Sequence, residues 1–274
     1  MVSNIILEEC QMLRPDPIHT RELTLIVIVG LGVILTFFLV EPISQDAVYH
    51  HFADNRIFFG IPNTLDVLSN IPFMIIGAWG ILFTGKLLKK KLSNAPALHY
   101  LVFFSGIMLT GLGSAYYHYA PSNETLFWDR LAITIAFTGF FCSVLSEMIS
   151  SRASLVLISP LLFAAMGSVG YWIWSETLGR GDLRLYGLVQ FLPMILIPLI
   201  LIMYKRPENY LGYIVATMIF YGISKITELH DVQIFQLFGV ISGHTLKHLL
   251  AAAGTCCIII MLHNRRYQSV TRQI

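Results

Sequence analysis

Eight runs of roughly twenty apolar residues constrain this chain more than any other feature. A hydrocarbon core about 30 Å thick is crossed by about 20 residues of helix. In lipid, a helix is one of the few structures that satisfies all of its own backbone polar groups. The runs lie at 22–41, 64–85, 97–119, 127–149, 154–175, 183–204, 209–227 and 240–262. The expected fold is therefore all-α, a polytopic transmembrane helix bundle. Composition agrees, since only 12% of the 274 residues are charged, against about 25% in a soluble domain. That excludes a disordered chain and leaves too little polar surface for a soluble globule. A formal net charge of +2 does not suit a nucleic-acid partner. Four cysteines (Cys10, Cys142, Cys256 and Cys257) are too few and too scattered for a disulfide scaffold or a thiolate cage.

Basic residues set the expected orientation. Lys86, Lys89, Lys90 and Lys91 follow the second run, Arg152 the fourth, Lys205 and Arg206 the sixth, and Arg265 and Arg266 the eighth. Arg14 and Arg21 precede the first. Eight spans put all of them on one side, with both termini in the cytoplasm. The first run reads as a retained anchor, because no small-residue cleavage site follows it cleanly.

Ionisable residues inside spans are costly and usually functional. In GLGSAYYHYAPSNETLFWDR, His118 closes the third span, with Ser114 one turn earlier on the same face. The short turn that follows lets Asp129, at the start of the fourth span, approach His118 at the outer membrane face. In SGHTLKHLLAAAG, His244 and His248 are spaced i, i+4, which stacks both imidazoles on one helix face. Such a pair is half of a common zinc site, and His118, at the same depth, supplies a third ligand. Three protein ligands and an open position make the pattern of catalytic zinc. Asp129 is then either the base that takes a proton from water or a carboxylate that orients a ligand histidine. Ser114 is either a donor to a developing oxyanion or a hydroxyl bonded to its own helix. The implied reaction is hydrolysis of an amide or ester in a membrane lipid substrate. Two rivals remain: a receptor-like or transport bundle with structural zinc, and a haem held between helices.

The pattern S-x3-H-x10-D at Ser114, His118 and Asp129, with H-x3-H at His244 and His248, resembles the alkaline ceramidases of the CREST superfamily of membrane hydrolases. NTLDVLSN (63–70) and FWDRLAIT (127–134) are similar to segments of bacterial ceramidase-domain proteins, and the likeness covers about residues 45–262. The resemblance implies a seven-helix bundle formed by the second to eighth spans, with an extra N-terminal helix. It also implies zinc on His118, His244 and His248, assistance from Ser114 and Asp129, and cleavage of the ceramide amide to a fatty acid and a sphingoid base. The expected division is 1–45 for the N-terminus and extra helix, 46–263 for the hydrolase domain and 264–274 for a basic cytoplasmic tail. The eukaryotic D-W-x-E-x-N calcium motif is absent. HHFADNRIFFGIPN (50–63) stands in its place, where Asp54 and Asn63 offer oxygen ligands without the motif, so Ca2+ is doubtful. Ala132 stands where the family often has proline.

Other polar residues carry bland readings. Asp66, Ser69 and Asn70 suit interhelical hydrogen bonding or the site's lining. Lys225 and Glu228 suit an ion pair, with contact to a substrate head group as the sharper alternative. Asp182, Arg184, Tyr186 and Gln190 suit capping and anchoring, and His99 and Glu147 suit the cytoplasmic interface.

Overall fold

The computed structural model describes residues 20–89, 94–204 and 211–271. Cys10, Arg14, Lys90, Lys91, Lys205 and Arg206 therefore lie outside the described residues, as does the side chain of Arg266. The chain is an all-α helical bundle. Seven of its helices are long and apolar enough to cross a membrane, the mark of an integral membrane protein. It divides between Leu39 and Val40. The first unit contains α1 (Thr20–Leu39). The second contains α2 (Thr64–Leu68), α3 (Ile71–Lys89), α4 (Asn94–Tyr119), α5 (Asn123–Met148), α6 (Ser151–Thr177), α7 (Arg184–Met203), α8 (Leu211–Leu229), α9 (Asp231–Phe238) and α10 (Gly243–Thr271).

Four details differ from the sequence reading. The second span is broken at Ser69–Asn70, because Pro72 has no N–H to continue the ladder and its ring crowds the carbonyl four residues back. Side chains replace the lost backbone bonds: Ser69 Oγ and Asn70 Nδ2 donate to the Asp66 carbonyl at 2.9 and 2.8 Å. The seventh expected span, α8, has 19 residues but is not among the seven apolar helices, because Lys225 and Glu228 occupy its last turns. The stretch expected as a loop after it holds α9, which stops at Gly239 with φ +68, a left-handed conformation that favours glycine. Finally, α10 runs on to Thr271, so the segment from residue 264 begins as helix rather than as a tail.

Small residues bring the helices together. A Cβ on Gly106 would lie 2.3 Å from the Ala136 backbone nitrogen, and one on Gly139 would lie 2.4 Å from that of Phe103. The backbones of α4 and α5 therefore touch, as membrane helices do where small residues meet. α5 also packs on α6 and α7, while α10 packs on α8 and α3. At the end where α5 finishes, Glu147 accepts from Tyr100 Oη at 2.7 Å and from Arg265 Nη2 at 2.9 Å. His99, expected at the interface, is instead fully buried.

Gly139→Val should cost about 1–3 kcal/mol by overpacking. It should lower the melting temperature in detergent, whereas Gly85→Ala, with nothing within 4 Å of the added carbon, should not. Equal melting temperatures would contradict the close α4–α5 contact.

Candidate metal centre

The ends of α4, α5, α8 and α10 meet at the other pole of the bundle. A three-residue turn, 120–122, joins α4 to α5. Ser122 caps α5 through a reciprocal pair with Thr125, Thr125 N to Ser122 Oγ at 3.3 Å and Ser122 N to Thr125 Oγ1 at 3.1 Å. Gly113 lets α5 approach: a Cβ there would lie 2.7 Å from the Trp128 carbonyl oxygen and 3.1 Å from Asp129 Cα. That contact, one residue from Ser114, sets Asp129 beside the Ser114 turn.

His118, His244 and His248 are all buried, and one nitrogen from each lies within 4.8 Å of the others. His118 Nε2 and His244 Nε2 are 3.2 Å apart. Ring centroids are separated by 4.6 Å for His118–His244, 4.9 Å for His118–His248 and 5.0 Å for His244–His248. Phe52 covers His118 and His244 at 4.5 and 5.0 Å. This buried cluster can hold a metal ion. It is the only group of three or more His, Cys, Asp or Glu of that kind among the described residues.

The tautomer of His248 follows from hydrogen-bond accounting. Ser69 has one hydroxyl proton and donates it to the Asp66 carbonyl at 2.9 Å. At its 2.7 Å contact with His248 Nδ1 it must then accept. With Ser69 donating to that carbonyl, a proton on His248 Nδ1 leaves a lone pair at Nε2, the arrangement a metal-ligating imidazole needs. Ser114 Oγ lies 3.5 Å from the same Nε2, at the limit of hydrogen bonding, and is not bonded to its own helix.

The supporting residues come from the broken second span and the loops. Asp66 accepts from Thr245 Oγ1 at 2.6 Å and Ser242 Oγ at 3.2 Å, which is the interhelical bonding expected of it and fixes the first turn of α10. Asp231 Oδ1 accepts from His244 N at 2.7 Å, and its Oδ2 accepts from Ala53 N at 3.0 Å, tying the Phe52 loop to the ligand helix. Asn63 Nδ2 donates to the His118 carbonyl at 2.8 Å, satisfying an acceptor at the end of α4. Asp54, considered as a calcium ligand, is occupied by a two-pronged pair with Arg56 at 2.7 Å. His50, read as a plain loop residue, bonds Tyr117 Oη at 3.0 Å and Asn123 Oδ1 at 3.1 Å.

A cavity of about 300 Å³ opens on this cluster and is lined by Ser114, Asp129 and His248. Asp129 makes no hydrogen bond to a ligand histidine, and its Oδ1 is buried without any partner. The reading of Asp129 as an orienting carboxylate is therefore not realised. Away from the cluster the walls turn apolar, with Phe103, Ile107, Phe137 and Phe140 among them. From Asp129 to Phe140 the cavity follows eleven residues of α5, about 16 Å at 1.5 Å per residue.

Sequence reasoning weighed Ser69 only as a lining or bonding residue and passed over Asp231 and Phe52. The proline two residues beyond Asn70 was the one available signal that a helix break would free the Ser69 side chain. Compared with known proteins, the chain matches no protein-family model, and no curated relative matches it.

If the cluster holds a metal ion, Ser69→Ala should weaken its binding about 10–100-fold, the usual cost of removing an orienting partner, in a competition titration with a chromophoric chelator and zinc as the probe. Unchanged affinity would remove Ser69 from the centre.

Proposed function

We propose that this protein is a membrane-embedded zinc hydrolase that cleaves the amide of ceramide or a related N-acyl lipid. The observation that carries the reading is one cavity lined by His248 of the three-histidine cluster and by a buried carboxylate without a hydrogen-bond partner among the described residues, with apolar walls along the rest of its length. Three imidazoles without acidic neighbours in the ligand set suit a borderline-soft ion such as zinc. A closed structural site needs a fourth protein ligand, and only three gather among the described residues. The resemblance to alkaline ceramidases adds the substrate class.

Zinc at His118, His244 and His248 would supply Lewis acidity, making water nucleophilic near neutral pH and polarising a carbonyl. The apolar bore holds the acyl chain and so brings the amide to the polar end. Asp129, with a free Oδ1, takes a proton from the attacking water. Ser114 donates a hydrogen bond to the developing oxyanion. Water's oxygen bonds the carbonyl carbon, the C–N bond breaks, and Asp129 returns the proton to the leaving nitrogen. The products are a carboxylic acid and a free amine. The proposed orientation puts both termini in the cytoplasm and the site toward the outer face. Lys86 and Lys89 end α3, Arg152 begins α6, and Arg265 pairs with Glu147 at the end of α5, all at the pole opposite the histidines.

His248→Ala should abolish both stoichiometric zinc and fatty-acid release from N-acyl lipids. Asp129→Asn should keep zinc and lose about 10²–10⁴ in turnover. A metal-reconstituted protein that releases no fatty acid from any N-acyl lipid would end the hydrolase reading, and full turnover in Asp129→Asn would end the role of Asp129.

A further inference from the structure

The same cavity is lined by more positive than negative side chains. Lys225, Lys247 and Arg130 face it, against Glu228 and Asp129. Glu228 is already saturated: it is paired with Lys225, accepts from Lys247 Nζ at 2.9 Å, and accepts from Tyr49 Oη at 3.3 Å. One carboxylate thus answers two ammonium groups. The Arg130 guanidinium sits 4.2 Å over the Trp172 ring and 4.9 Å over that of Tyr186, and donates from Nη2 to Gln45 Oε1 at 2.5 Å. Its Nη1 is buried without a hydrogen-bond partner, on a residue only 5% exposed. Buried charge that is not matched locally is expensive. A metal cation at the adjoining histidines would increase the imbalance.

We propose that Lys225, Lys247 and Arg130 form a subsite for an anionic group, a carboxylate or a phosphate, on the amine half of the N-acyl substrate. This inference rests on the hydrolase reading and narrows it from neutral ceramide-like lipids to N-acyl lipids with an acidic head. The geometry supports a position next to the scissile bond. Lys247 immediately precedes the candidate ligand His248, Arg130 immediately follows Asp129, and all four residues line the same cavity. Because Glu228 holds both lysines, an incoming oxyanion finds ammonium groups already fixed in place, which limits the entropy lost on binding.

The test compares N-oleoylglycine with N-oleoylethanolamine, which share an acyl chain and differ by carboxylate against hydroxymethyl. With purified full-length protein in neutral detergent, kcat/KM should favour the glycine conjugate by about tenfold or more, mostly through KM. Lys247→Gln and Lys225→Gln should each cut that preference severalfold while the ethanolamide is still cleaved. Equal rates for the two amides, or a preference that both lysine variants retain, would overturn the subsite. N-oleoyl phosphoethanolamine cleaved faster than the glycine conjugate would identify the anion as phosphate. Binding is measured separately with Asp129→Asn by calorimetry. If the glycine conjugate binds about tenfold tighter than the ethanolamide, the subsite stands even where wild-type protein cleaves neither and the hydrolase reading fails. Equal binding overturns the subsite whatever the turnover.

Discussion

A polar group inside a lipid-embedded bundle has no water to turn to, and the architecture around the histidines depends on that constraint. Ser69, Asp66, Thr245 and Ser242 are each buried and each answered by another protein group. Their bonds converge on the first turn of α10, where His244 and His248 stand. The break at Asn70 adds to this set. In an uninterrupted helix the Asp66 carbonyl would accept from the Asn70 backbone N–H, whereas here it accepts from the Asn70 side chain. With Pro72 interrupting the ladder, side chains take over, and Ser69 becomes the hinge between a backbone carbonyl and an imidazole.

Several buried polar atoms have no hydrogen-bond partner among the described residues. Two of them, Asp129 Oδ1 and Arg130 Nη1, belong to residues that line the cavity His248 also lines. Unmatched polar atoms on adjacent residues that line one cavity mark where a ligand is expected. Their placement follows from Gly113, whose missing side chain lets the start of α5 come against α4 beside Ser114.

Much of this was legible in the sequence. Apolar run length gave the helices, and i, i+4 spacing put Ser114 with His118 and His244 with His248. Their burial in lipid-length helices argued that they face inward together. What stayed hidden depended on three dimensions. Asp231 and Phe52 lie in segments that read as loops between spans, yet they hold His244 N and cover two imidazoles. The saturation of Glu228 was out of reach because Lys247 joins it from a different helix, 19 residues away. The pair visible in sequence, Lys225 with Glu228, looked complete in itself, and only the fold shows one carboxylate shared by two lysines.

α10 explains how a cation can sit beside the candidate metal ligands without competing for their lone pairs. Successive residues on a helix point about 100° apart, so the four-residue step from His244 to His248 returns to one face while the residues between them turn away. Thr245 reaches Asp66 on α2, Lys247 reaches Glu228 on α8, and the two imidazoles meet His118 on α4. One turn of helix thereby separates anchoring, charge and ligation onto three neighbours. Shifting Lys247 by one position would put an ammonium on the ligand face or lose Glu228 altogether. The spacing H-T-L-K-H thus specifies more than a metal pair, since it also fixes on which side of that pair a positive charge meets the cavity.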